Sequence, residues 1–389
     1  MKLLIPDWKS FGKEDIQETL EALGHQVVYY QAEPRNYRRD PRFRSELRRF
    51  IREQAIDVLF SSNYYPILST VCQELQIPYL SWCYDSPLVL LYSDTVFHSC
   101  NYIFLFDTQM VLDLQKLGVS QVYYLPMAVN PHRLDALSAD ARQQKILQAD
   151  VSFVGSLYDE KHNLYDRFDQ LDAYTRGYLE GIMAAQRQVY GYNFLEQVLT
   201  PDILQHLTET VPLQPNADGH ETLAYLYANY FLCRKMTQTD RHEILAWLDS
   251  RTDIQTKLYT HNATPHLKHI QNMGTVHYLQ EMPLVFRHSR INLNITLRSI
   301  ANGIPLRAMD IMGAGGFLLT NHQNDFALHF TEGRDYVSYD SPEDMKNKID
   351  YYLKQDAERD AIAQNGHALV SSEHTYMHRI REMLSILGV

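Results

Sequence analysis

The stretch Gly303-Ile-Pro-Leu-Arg-Ala-Met-Asp-Ile-Met-Gly-Ala-Gly-Gly316 gathers residue types suited to a phosphorylated ligand. Asn302-Gly303-Ile304-Pro305 reads as a tight loop feeding a short helix that carries Arg307 and Asp310. Gly313, Gly315 and Gly316 end that helix, and Phe317-Leu318-Leu319-Thr320 reads as an apolar strand. The free N–H groups and the dipole at a helix start favour an anion. Arg307 adds a planar fork matched to phosphate. Asp310, one turn further on roughly the same face, can accept bonds from two sugar hydroxyls. Phosphate at the helix mouth and ribose one turn along is how a nucleoside diphosphate would sit. The same Pro–helix–Gly pattern also describes an ordinary βαβ connection, so the segment alone leaves both readings open.

A second candidate loop, Gly155-Ser-Leu-Tyr-Asp-Glu-Lys161, follows the strand pattern of Asp150–Val154. A small residue at a strand's carboxyl end lets backbone approach a ligand, which points to Gly155 and Ser156. Lys161 can reach a diphosphate as a point charge, or stand solvated before a helix. In Ile291–Ile295, Asn292 and Asn294 fall on one strand face, with Thr296 just beyond. Polar side chains in a buried strand need partners, from a ligand or from neighbouring loops. Arg298 and Arg307 flank the Gly303 loop, and two guanidiniums around one helix mouth suit an anion of more than one charge.

Asp85, in Ser81-Trp-Cys-Tyr-Asp-Ser-Pro87 at the end of another strand, is a candidate general base. Asp-Ser-Pro is also a turn former, so a capping role competes, and Asp7 and Asp107 occupy analogous strand-end positions. The 17 histidines form no HxH or HExxH pair, which argues against a metal site. A Walker A sequence, a GxGxxG after the first strand and a GxSxG elbow are all absent, against kinase, NAD and α/β-hydrolase readings.

Elements must deliver these strand ends. Lys2–Pro6, Gln26–Tyr30, Asp57–Ser61, Pro78–Trp82, Ile103–Phe106 and Val122–Leu125 read as strands. Lys13 to Leu23, Phe43 to Gln54, Ile67 to Leu75 and Met110 to Leu117 read as the intervening helices. Short apolar strands alternating with helices imply a parallel sheet covered on both faces. Leu125 to about Gln148 reads as a linker, and Asp150–Gly155 opens a second sheet. Residues 163–248 read as a helical insertion. Strands resume at Thr256–Thr260, Val276–Tyr278, Ile291–Ile295, Phe317–Thr320 and Tyr336–Tyr339, with a helical tail from Pro342. The expected division is 1–145, 146–372 and a C-terminal helix at 373–389 crossing back to the first domain. Two such domains place a cleft between the carboxyl ends of their strands, where ligands bind.

The 389 residues suit two domains, and 45% apolar with 21% charged residues marks a globular chain. A net charge of −11 argues against nucleic-acid binding. The 27 tyrosines fit sugar handling or dense packing equally. Cys72, Cys83, Cys100 and Cys233 lack CxxC spacing, which points to a reducing cytoplasm. No run of about 18 apolar residues can span a membrane. The arginines at 35, 38, 39, 42, 44, 48 and 49 could touch a membrane surface, or form a solvated helix face among the acidic residues between them.

Taken together, Phe153–Tyr158, Ile291–Asn294, Asn302–Arg307, Asp310–Thr320 and His374–Arg379 resemble the CgeB-like glycosyltransferases. Trp82–Pro87 resembles the N-terminal domain that often accompanies them. The resemblance implies a GT-B fold, with two Rossmann-like domains facing a central cleft, acceptor bound by the first and nucleotide-sugar donor by the second. It implies a hexosyltransferase that needs no metal or other cofactor, because a helix N-terminus and basic side chains neutralise the leaving diphosphate. Asp85 and Arg307 are then the catalytic pair. Gly155, Ser156, Lys161, Asn294 and Arg298 fall on the donor side, with Asn302, Gly303, Asp310 and Gly315. Asp310 matches the second of two acidic residues of the wider retaining families, but Asn302 stands where the first would be. Lys161 matches their loop lysine, while Ser156 replaces their loop arginine, a charge that Arg298 or Arg307 would have to supply. The expected partners are a UDP-sugar donor and an acceptor that is a glycan, a protein or a small molecule. A nucleotide-sugar epimerase of similar architecture and a non-catalytic sugar-binding or coat-associated scaffold are the alternatives.

Overall fold

Strands buried on both faces must be apolar throughout, and Leu3-Leu4-Ile5, Val58-Leu59-Phe60 and Ile103-Phe104-Leu105 are apolar and buried. The computed structural model describes residues 1–8, 10, 12–160 and 163–389. Its contacts divide the chain into two compact units: 1–128 with 215–221 and 374–389, and 129–214 with 222–373.

In the first unit the strands are β1 (Lys2–Pro6), β2 (Gln26–Tyr30), β3 (Val58–Ser62), β4 (Tyr79–Cys83), β5 (Asn101–Leu105) and β6 (Val122–Tyr124). They form one sheet in the order β2-β1-β3-β4-β5-β6, parallel at every pairing. Helices return the chain after each strand, and their starts follow local chemistry. Asp40 accepts from the Phe43 N–H at the head of Pro41–Glu53, whose Phe43, Leu47 and Ile51 recur at helical spacing and are buried. The terminal helix Tyr376–Leu387 belongs to this unit. Arg379 donates to the Pro126 carbonyl at 2.9 Å, and Tyr376 meets Trp82 edge-on at 5.9 Å.

Residues 215–221, inside the stretch read as helical, form a non-helical segment with a turn at 217–218 and also belong to the first unit. The Asp94 N–H donates to the Asp218 carbonyl and the His220 N–H to that of Tyr92. Arg38 ion-pairs with Asp218 and Glu221, while Arg44 and Arg48 share Glu74, Arg42 meets Glu46 and Arg49 meets Glu53. Five of the seven clustered arginines thus have carboxylate partners.

The second unit holds β7 (Ala149–Val154), β8 (Thr256–Tyr259), β9 (Gln271–Asn272), β10 (Ser289–Asn294), β11 (Leu318–Asn321) and β12 (Val337–Tyr339), in the parallel order β12-β11-β10-β7-β8-β9. Strand order reverses between β7 and β10, and the crevice at the carboxyl ends of such a pair is where α/β sheets take ligands. Both sheets thus have the α/β architecture expected. The helices of the insertion, chiefly Ala173–Arg187, Pro201–Thr210 and Cys233–Ser250, bury a core of their own around Phe168, Leu179, Leu207, Tyr227 and Phe231.

Two boundaries differ from those read in the sequence. The strand expected at Val276–Tyr278 is absent: β9, at the sheet edge, spends its pairing to β8 on Gln271 and Asn272, and Gly274 at φ +77° then turns the chain away. Residues 129–148 pack with the second unit. There Arg287 donates to the carbonyls of Leu134 and Leu137, and Val129 and Leu134 lie against Gly313. At Gly316 the backbone runs so close to β10 that a Cβ would stand 2.6 Å from Asn292 Nδ2 and 2.8 Å from the Phe286 carbonyl. Asn292 cannot yield, since its amide already bonds Ser152, Phe286 and Phe317. Gly316→Ala should therefore destabilise the second unit by about 1–3 kcal/mol, the range for overpacking, read as an earlier urea midpoint.

Candidate functional site

The helix Leu306–Gly313 starts after Pro305, whose ring pre-sets φ at −67°, and no side chain caps its first N–H groups. It follows β10, one of the two strands at the order reversal. Its approach loop is held from behind: Gln323 donates to the carbonyls of Ile300 and Gly303, and Asn324 donates to Asn302 Oδ1 at 2.7 Å. Arg307 donates to Asp310 Oδ2 at 3.0 Å, touches the Met282 sulfur, and rests over the Phe286 ring. The hydroxyl of Tyr278 donates to Asp310 Oδ1 at 2.9 Å. Arg307 and Asp310 keep 29% and 14% of their side-chain surface, enough to meet a ligand.

The loop after β7 is likewise pinned. The Leu157 N–H donates to Asn262 Oδ1 at 2.7 Å, Ser156 Oγ donates to Glu160, and Tyr158 takes φ +60°. Beneath it lies Arg241, from the Cys233–Ser250 helix, donating to the carbonyls of Ser156 at 2.5 Å and Ile295 at 2.6 Å. One guanidinium thereby ties the carboxyl ends of β7 and β10 together. Lys161 lies outside the described residues.

Three residues have different surroundings from those expected. Arg298 is spent inside the protein: it donates to Asp240 at 2.7 Å and to the carbonyls of Arg187 and Val189, and stacks 4.1 Å over Tyr190. It lines a pocket of about 90 Å³ with Trp247, Tyr339 and Lys346. Asn294 gives its amide N–H groups to Thr296, just past its own strand, and to Thr320 on the adjacent β11, which supply the partners that a strand-end asparagine needs. Gly315 lies past the helix's carboxyl end, and eight residues at about 1.5 Å rise put it roughly 12 Å from the N-terminus.

In the first unit, three carboxylates at strand ends are sorted by their surroundings. Asp107 is fully buried and caps Thr108–Leu117 by accepting from Gln109 N–H. Asp7 is bonded to Lys13 and Gln31, and the Lys13 bond above all holds its pKa below the ordinary value. Asp85 is different. It keeps an exposed face, yet the protein packed around its carboxylate raises its pKa, an amide bond from Asn63 at 2.7 Å partly opposing. Asn63, at φ +71°, also accepts from the N–H groups of Tyr84 and Asp85 and so fixes the loop.

Arg241, Tyr278, Asn262 and Asn63 escaped the sequence reading. Arg241 did leave a trace: Met236, Thr237, Asp240, Arg241, Ile244, Leu245 and Leu248 are the buried stripe of its helix, so two charged residues occupy core positions. Among the described residues no three His, Cys, Asp or Glu side chains converge to hold a metal ion, and no helix is long and apolar enough to cross a membrane.

A carboxyl whose folded pKa is raised adds stability below its unfolded pKa and loses it as pH rises through the folded value. Asp85→Asn should therefore raise the Tm at neutral pH, the gain shrinking towards zero as pH falls to the ordinary carboxylate range. Equal gains at pH 3.5 and pH 7.5 would contradict the raised pKa.

Residues 235–385 match the family model described as glycosyl transferase-like. No curated protein matches the sequence. Among solved structures the whole chain is similar to Anabaena Alr3699/HepE in complex with UDP-glucose, with a TM-score of 0.58 at 10% identity, covering 100% of this chain and 99% of that one. It is similar to sucrose-phosphate synthase from Thermosynechococcus elongatus, at 0.57 and 11%, covering 100% and 98%. It is similar to a glycosyltransferase from Rickettsia africae, at 0.56 and 10%, covering 99% and 97%. The chain has the GT-B fold.

Proposed function

We propose that this protein is a glycosyltransferase of the CgeB-like kind, moving a hexose from a nucleoside diphosphate donor to a hydroxyl acceptor. The observation that carries the reading is the Leu306–Gly313 helix, which starts without a side-chain cap after β10 and bears Arg307 and Asp310, linked to each other and to Tyr278. These residues lie within the segment matching the family model. The neighbour HepE was solved with UDP-glucose, which makes a uridine donor the first to test.

On this reading the helix N-terminus and Arg307 receive the diphosphate, and Asp310, oriented by Tyr278, accepts from the ribose hydroxyls. As the acceptor oxygen bonds the anomeric carbon, the bond from that carbon to the diphosphate oxygen breaks and its electron pair leaves with the nucleoside diphosphate. Fixed positive charge aimed at that leaving group lowers the barrier most where water is excluded. These groups do the work that a divalent metal does in other transferases. If the configuration inverts, Asp85 takes the acceptor proton; if it is retained, the leaving phosphate takes it and Asp85 orients the acceptor. A base that must be ionised, with a raised pKa, places the acid limb of the pH–rate profile above the ordinary carboxylate range. The four buried, unbridged cysteines fit a cytoplasmic setting.

Arg307→Ala should weaken UDP binding at least about tenfold, the loss of one charge-assisted contact, while sparing uridine. Asp310→Ala should weaken both. Calorimetry showing unchanged UDP affinity in both variants would remove the basis of the assignment. Turnover of the right donor should survive EDTA.

A further inference from the structure

We propose that Arg241 is the buried cation of the donor site, a positioning residue whose charge, held beneath the Gly155–Ser156 loop, draws the diphosphate to the carboxyl ends of β7 and β10. The inference rests on the nucleotide-sugar reading above.

Arg241 keeps only 8% of its surface. Its partners are neutral: the carbonyls of Ser156 and Ile295, and the rings of Tyr158 at 4.7 Å and Phe153 at 5.3 Å. Its Nε is buried and bonds nothing. Among the described residues its guanidinium forms no ion pair. The adjacent acid, Asp240, cannot help, because Arg187 and Arg298 already share it, each at 2.7 Å. One residue along a helix is a rotation of about 100°, which sends the two side chains to different neighbours.

A buried guanidinium stays protonated and is costly unless a counter-charge offsets it. Burial holds its pKa below the ordinary arginine value; Tyr158 and Tyr339 oppose this in part, and the charge of Arg307 adds a smaller push in the same direction as burial. A buried guanidinium with neutral partners and an unbonded Nε marks a place where an anion brings the missing charge. The position is specific: Nη1 would lie 3.8 Å from a Cβ at Gly155, directly under the loop. A merely structural clip needs hydrogen bonds to two carbonyls but no net charge.

The charge requirement can be separated from the clip by titrating uridine, UMP and UDP into wild type, Arg241→Gln and Arg241→Lys. In wild type affinity should climb along the series. Arg241→Gln should lose about tenfold or more for UDP, while uridine changes less than about twofold. Arg241→Lys, which keeps the charge but not the geometry of the fork, should retain most of the climb even with a lower Tm. Three results overturn the proposal: Arg241→Gln weakening all three ligands alike, Arg241→Gln binding UDP as wild type does, or the climb collapsing in Arg241→Lys. A wild type with no preference for UDP, ADP or GDP over the nucleosides refutes the donor reading itself, and Arg241 with it. The first three outcomes leave that reading standing on Arg307 and Asp310.

Discussion

A buried backbone N–H or carbonyl must find a partner, and in a parallel sheet the supply of partners ends where the strands end. In the second unit side chains take over at that edge. Asn262 accepts from Leu157, Asn321 from Thr296 and Thr237 from Arg298, while Arg241 serves the carbonyls of Ser156 and Ile295. Loops that would otherwise need water or further strand are thereby held in single conformations. The donor chemistry proposed for the order reversal would depend on that rigidity, because loosely held ligand contacts cost affinity and rate.

Charge is distributed by the same logic. The Asp240 carboxylate pairs with both Arg187 and Arg298, and Glu243 takes a second bond from Arg187, which leaves that cluster balanced in charge and Arg298 fixed against Tyr190. Three carboxylates at equivalent strand ends in the first unit diverge because their neighbours differ. A helix start claims Asp107, a lysine claims Asp7, and only Asp85 keeps both an exposed face and a raised pKa. Catalytic carboxylates are commonly set apart from structural ones by such contrasts in environment.

Period and punctuation in the chain were enough to read the sheets. Apolar runs of four to six residues, ended by glycine, proline or capping aspartate, correspond to eleven of the twelve strands, and β9 was missed because an edge strand of two polar residues has no apolar pattern. The helix that carries Arg307 and Asp310 was legible for the same reason, being bounded by Pro305 and the glycines. What stayed hidden depends on long-range contact. Arg298 and Arg241 are both arginines near candidate loops, and nothing local says that one finds an aspartate and the other does not. Residues 215–221 read as part of the helical stretch around them, and only the pairing of Asp218 with Arg38, far earlier in the chain, sets them apart.

Three departures from a well-satisfied core lie at the loops of the second unit. A helix start without a side-chain cap, a buried arginine whose partners are all neutral and a non-glycine residue at positive φ in Tyr158 lie at the loops that follow β7 and β10. Each lowers stability, and a sequence selected for stability alone would cap the helix with serine or aspartate and pair the arginine with a glutamate. An aspartate cap or a glutamate partner would place negative charge where the proposed donor's phosphates would bind, and so would compete with them. A ligand that completes the network at the loops after β7 and β10 would account for these features together.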